Sequence, residues 1–104
     1  MSTTSDSDKV VGTCGLCGRV MIDGKSINKH HLVPKSMGGR EVAWIHVVCH
    51  GKIHQVFTLQ ELRDFYHTFE RLRDHPAIQK YVRWVKRKDP QFKTRHLKPR
   101  GRRR

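Results

Sequence analysis

The sequence predicts a small α+β domain stapled by a metal ion and followed by two C-terminal helices and a basic tail. Three observations predict it. Two pairs of metal-binding side chains share a two-residue gap, Cys14-Gly-Leu-Cys17 and His46-Val-Val-Cys49; the apolar pattern changes from strand-like to helical at Val47; and positive charge gathers at the C-terminus. With 104 residues, 36% hydrophobic content, four Phe and two Trp, the chain makes one domain with little core to bury, so an added staple is what it needs.

Composition excludes several classes. The longest apolar stretches, such as Trp44-Ile45 and Val47-Val48-Cys49, are far too short for a membrane helix, and Met1–Lys9 lacks the apolar run of a secretory signal. No membrane partner is expected. Three cysteines cannot close a disulfide framework, which favours an intracellular, cytoplasmic protein, with association with the nucleoid as a further expectation. Of 22 Lys+Arg and 9 Asp+Glu, residues 86–104 hold ten basic and one acidic side chain, and a polyanion is their natural partner.

The elements follow in order. Residues 1–9 are polar and read as a disordered N-terminus. Residues 10–57 form the metal-stapled domain: a glycine-punctuated turn at Gly12–Gly18, a short strand at Arg19–Asp23 with Asp23-Gly24 as a hairpin signal, and paired strands at His31–Pro34 and Val42–His46 joined by the Gly-rich loop Lys35–Arg40. A helical pattern begins at Val47. Residues 58–89 form a helical buttress. Thr58 and Glu61 fit a capping box, Phe57 and Leu62 fit a hydrophobic staple across it, and Leu59, Leu62, Phe65, Tyr66, Phe69 and Leu72 predict one helix to about Arg73. Pro76 suits the first turn of the next helix, with Asp74 or His75 near its cap, Ile78, Tyr81, Val82 and Val85 on one face, and Pro90 as its stop. Residues 90–104 are the basic tail.

The cysteine pairs supply three sulfurs and one imidazole, a donor set that suits a structural Zn2+ and uses every cysteine of the chain. His46 is the weakest of the four, since a neighbouring imidazole could take its place. The remaining histidines form a second pattern. His50 and His54 are four residues apart, so on a helix both rings project from one face and can present nitrogens to a second ion. His30 and His31 are adjacent and point oppositely on a strand, so one can ligate while the other does acid–base work. His67, His75 and His96 have no such frame and read as structural or solvent-exposed.

Taken together, Cys14-x-x-Cys17, His30-His31-Leu-Val-Pro34 with Gly38-Gly39, and His46-x-x-Cys49-His50-x-x-Ile53-His54 resemble the HNH endonucleases across 41 of the 104 residues. The resemblance implies a ββα-metal, treble-clef-like core stapled by zinc at Cys14, Cys17, His46 and Cys49. It implies His31 as the general base, His30 and His50 as ligands of a catalytic divalent metal (Mg2+, Mn2+, Ni2+ or Zn2+), and His54 as a further ligand or an orienting neighbour. Two positions depart from the family pattern. His46 stands where Cys is usual, and Glu41 stands where the family has Asn; a carboxylate accepts hydrogen bonds but cannot donate as an amide does, so Glu41 would orient His31 or add negative charge near the metal.

The implied activity is hydrolysis of DNA phosphodiesters, by a monomer or weak dimer that nicks with low sequence specificity. Lys29, Lys35, Arg40 and Lys52 would lie near phosphates, and Lys93, Arg95, Lys98, Arg100, Arg102, Arg103 and Arg104 would trail along the duplex. A non-catalytic zinc-containing nucleic-acid-binding module and an RNA-directed nuclease are the alternatives.

Overall fold

The computed structural model describes residues 9–93. Its strands are β1 (Val10–Thr13), β2 (Val20–Ile22), β3 (Ile27–His31) and β4 (Val42–His46); its helices are α1 (Val47–Val56), α2 (Leu59–Asp64), α3 (Phe69–Arg73) and α4 (Pro76–Val85). The strands make two antiparallel pairs, β1 with β2 and β3 with β4, so the fold is a small α+β arrangement of two small sheets and four helices. Expectations for residues 1–8 and 94–104, including Arg95, Lys98, Arg100, Arg102, Arg103 and Arg104, lie outside the described residues. Lys9, placed with the disordered N-terminus on sequence, is tied down: its carbonyl accepts the Asp23 amide at 2.7 Å.

The first sheet exists to hold the cysteine turn. Strand β1, unforeseen from sequence, pairs with β2, and the link between them is the Cys14–Arg19 turn, closed by Cys14 N–H to the Arg19 carbonyl and Gly18 N–H to the Cys14 carbonyl, each at 2.9 Å. Gly18 takes a φ of 82°, which favours glycine. The hairpin signal at Asp23-Gly24 therefore marks a different feature. It carries the chain from one sheet to the other, because β2 is already paired with β1.

The second sheet starts earlier than its pattern suggests. The strand expected at His31–Pro34 is Ile27–His31 instead, in register with β4 from Ile27 opposite His46 to His31 opposite Val42. Beyond it, Leu32 N–H still reaches the Glu41 carbonyl at 3.1 Å, but Pro34 has no N–H to offer and turns the chain into a short 3-10 segment, Lys35–Met37. Gly39 closes that loop: a Cβ there would sit 1.7 Å from the Val33 carbonyl oxygen. Alternation along the pair sends His30 and Ile45 inward and leaves Lys29, Val42 and Trp44 exposed.

The helices follow their caps. Strand β4 runs directly into α1, with His46 as both the last strand residue and the N-cap. Thr58 and Glu61 make the capping box, at 3.1 and 2.8 Å, and Phe57 and Leu62 are both buried. The single helix expected to Arg73 is broken at Phe65, and α3 restarts at Thr68, whose hydroxyl accepts the Arg71 amide at 3.1 Å. The apolar repeat ran on through this break, but a threonine side chain offered the backbone an alternative partner. In consequence Phe65 (51% exposed) and Leu59 (43%) are not core. In α4, Pro76 occupies the first turn, His75 Nδ1 accepts the Ala77 amide at 3.1 Å, and Ile78, Tyr81 and Val85 are buried as expected. Ile45, Ile53, Leu62, Leu72, Ile78 and Val85 are the fully buried centre. No helix of the described residues is long and apolar enough to cross a membrane.

Two candidate metal clusters

Cys14, Cys17, His46 and Cys49 converge. Their ligand atoms all lie within 4.8 Å of one another and all four side chains are buried. The β1–β2 turn supplies Cys14 and Cys17, the end of β4 supplies His46, and the first turn of α1 supplies Cys49. His46 Nε2 donates to the Val20 carbonyl at 3.0 Å, which leaves Nδ1, 3.4 Å from Cys17 Sγ, as the ring atom that can ligate once its proton is displaced. Burial pulls the His46 pKa down, but its bonds to Cys14 and Cys17 outweigh that and raise it to about 9. Three thiols in so small a space cannot ionise alike. Hydrogen bonds with Cys14 and then Cys49 hold Cys17 far below its ordinary value, while bonding to Cys14 and Cys17, together with burial, drives Cys49 far above it. A divalent cation relieves that conflict by ionising every ligating thiol. These residues could hold a structural metal ion, and three sulfurs with one nitrogen suit zinc.

Two residues not singled out for this role finish the cluster. Arg19 Nε donates to Cys17 Sγ at 3.3 Å while its Nη1 donates to the Asp89 carbonyl at 2.6 Å, tying the chain beyond α4 to the turn. Tyr81 Oη donates to Cys49 Sγ at 3.2 Å, and burial, then the nearby Cys49, raise its pKa so that it stays a donor. Tyr81 read as ordinary helix core, and nothing in a linear pattern pairs it with a cysteine 32 positions earlier.

His30, His50 and His54 form the second cluster, again with ligand atoms within 4.8 Å of one another. His50 Nδ1 donates to Asn28 Oδ1 at 3.0 Å, which directs its Nε2 towards His54 Nε2, 3.1 Å away. The His30 ring centroid lies 5.2 Å from that of His50 and 6.2 Å from that of His54. His30 is fully buried and neither of its ring nitrogens has a hydrogen-bond partner. Burial, then the charges of His50, His54 and His31, lower its pKa to about 3; burial, then His54 and His31, lower that of His50 to about 4; burial also lowers His54. All three rings are therefore neutral at ordinary pH, the form that ligates. His54 lies in this set together with His50. Asn28 was missed on sequence, though it sits two residues before His30 and so on the same face of β3.

The other candidate residues are dispersed. His31 is half-buried at the end of β3, next to His30 but on the opposite face of the strand. Glu41 ends the loop that joins β3 to β4, exposed, and its carbonyl takes the Leu32 amide while its carboxylate makes no hydrogen bond to His31. Lys29 sits over the Trp44 ring, 5.7 Å from its centroid, and Lys35, Arg40 and Lys93 are exposed. Lys52 lies on the side of α1 turned towards α4, away from His50 and His54. Phe69 links the two clusters from the helical side: its ring is 6.2 Å from that of His30, and it packs where a Cβ on Gly15 would have to go, 2.7 Å from that position.

Fold and site define a small α+β protein with a buried three-cysteine, one-histidine cluster and a three-histidine cluster joined by one helix. It belongs to the same family as the uncharacterized protein YisB of Bacillus subtilis (strain 168), with which it is 33% identical over 85 residues, 80% of this chain and 82% of the relative. No family model matches the chain, and no solved structure matches it.

Proposed function

We propose that the protein is a metal-dependent endonuclease of the HNH type that hydrolyses DNA phosphodiester bonds. The observation that carries this reading is the meeting of three imidazoles, one with both ring nitrogens orphaned in the interior, with a fourth, His31, half-buried at the adjacent position of the same strand. The path of the chain supports it too, since an antiparallel strand pair leads straight into the helix that bears His50 and His54.

A divalent cation bound by His30, His50 and His54 would supply Lewis-acid stabilisation of charge building on the phosphate and on the leaving oxygen. The chain's own residues do the rest. Asn28 holds His50 in the tautomer that presents Nε2. His31 takes the proton from the attacking water through a ring nitrogen. Lys29, Lys35, Arg40 and the basic C-terminus grip the phosphates of the duplex, a sequence-independent and salt-dependent attraction. The Cys14–Cys49 cluster takes no part in the chemistry; it anchors α1, and through it two of the three histidines.

Plasmid nicking with Mg2+, Mn2+ or Ni2+, against a chelator control, tests the reading. Wild type is expected to nick, and His31→Ala to lose cleavage while keeping its affinity for DNA. Undiminished cleavage by that variant rejects the base assignment. One observation favours a non-catalytic zinc-containing nucleic-acid-binding module instead: Glu41 makes no bond to His31. Absence of nicking with every ion, together with retained binding, selects that reading, and competition between duplex DNA and RNA decides the substrate.

A further inference from the structure

On the side of α1 away from the three histidines, α1 and α4 leave a groove of about 480 Å3. An α-helix advances about 100° per residue, so Val48 and Lys52 fall roughly opposite His50 and His54. Val48, Ala77, Tyr81 and Trp84 give the groove an apolar and aromatic wall; Lys52 and Lys80 add two cations, and no lining residue carries a carboxylate. Trp84 is 45% exposed, yet its ring is held in place. Lys88 Nζ lies 5.0 Å from the indole centroid, and the rings of Phe92 and Tyr81 lie 5.7 and 6.1 Å from it.

We propose that this groove is an accessory nucleotide-binding site, in which a base lies against Trp84 and its phosphate is held by Lys52 and Lys80. The chemistry selects that occupant. An indole offers a face on which any base can stack, and paired lysines offer point charges for a phosphate. The volume falls in the range of small-molecule sites, enough for one nucleotide. An apolar helix or a second copy of the chain would bury both ammonium groups with no carboxylate to pair them, since Lys52 has only the Gln55 amide oxygen at 3.4 Å and the Tyr81 ring beside it, and the desolvation would be costly. The site faces away from the histidine cluster and does not depend on the nuclease reading.

The test uses the full chain carrying Trp44→Phe, which leaves Trp84 as its single indole, in buffer without added divalent ions. Trp84 fluorescence is followed on titration with AMP, with a single strand of roughly eight nucleotides, and with inorganic phosphate. Saturable quenching by AMP and by the strand, but not by phosphate, is expected, and Lys80→Glu, at an exposed position and with an unchanged circular dichroism spectrum, should weaken both by about tenfold. Equal affinity for AMP and the strand identifies a free nucleotide as the ligand; much tighter binding of the strand identifies an unpaired stretch of nucleic acid. Absence of quenching by AMP, indifference to Lys80→Glu, equal quenching by an acidic peptide, or quenching by raised protein concentration alone overturns the proposal. None of these readouts requires cleavage, so this site and the nuclease reading fail separately.

Discussion

The two clusters share helix α1 and are finished in opposite ways. Around the cysteines, hydrogen bonds converge from all sides: Arg19 on Cys17, Tyr81 on Cys49, and the Val20 carbonyl on His46. Around the histidines, Asn28 steadies one ring and the two nitrogens of His30 are left with nothing. Four ligands make a closed tetrahedral set, whereas three leave coordination positions for something else. The difference teaches that polar saturation, more than burial, separates the part of a small fold that holds it together from the part kept ready for a ligand. Both His30 and His46 are fully buried, and only one of them is satisfied.

The sharpest way to break this comparison is to remove a sulfur. Cys14→Ser should unfold the domain, because structural zinc contributes about 10 kcal/mol or more to folding in small metal-stapled domains; far-UV circular dichroism reads the loss. Persistence of the native spectrum would mean that the cysteine cluster is not the staple. His50→Ala should leave the spectrum intact.

Acid is the next largest effect, and it acts through the histidine cluster. His30 and His50 titrate at about 3 and about 4 in the folded chain, both depressed from the ordinary 6.5. Below 6.5 the unfolded chain takes up protons at these rings before the folded chain does, so stability is full above that pH and falls as the pH drops towards 3. The loss should reach a few kcal/mol at its lower end. Urea denaturation over the upper part of this range, where the thiolates still hold their ion, measures the slope with the histidine cluster metal-free.

A smaller effect has the opposite sign. His30→Leu replaces two orphaned buried nitrogens with hydrocarbon and, with the cysteine cluster loaded and the histidine cluster empty of metal, should stabilise the protein by about 1–3 kcal/mol, while flattening that acid slope and abolishing divalent-ion binding at the histidines. A destabilised variant would show that His30 is satisfied in solution. Smallest is Tyr81→Phe, which removes one donor from Cys49 and should lower stability by about 1 kcal/mol while hastening loss of zinc to a chelator. Unchanged release kinetics would make that bond incidental.

Much of this was legible in the residues. The capping box at Thr58 and the cap of α4 near Pro76 were readable because each depends on a few adjacent side chains. The Cys-x-x-Cys and His-x-x-Cys spacings placed four ligands on short, stiff pieces of chain, and the structure brings these four together. Phe65 was not legible. Its place in the apolar repeat promised burial, but Thr68 began a new helix and turned it out to solvent. The strand expected at His31–Pro34 failed for a related reason: its apolar residues matched a strand, while its proline could not continue the ladder.

The sequence by itself determined which atoms could bind a cation and which of them share a helical turn, because spacing on one element is local geometry. Only the tertiary structure decided that His30 meets His50 and His54, that Asn28 orients one of them, and that the nitrogens of His30 go unpartnered. It alone opened the groove beside Trp84. Those outcomes depend on the packing of a strand, a helix and their neighbours far apart in the chain, and hydrogen-bond satisfaction in an interior is a property of that packing, not of any one segment.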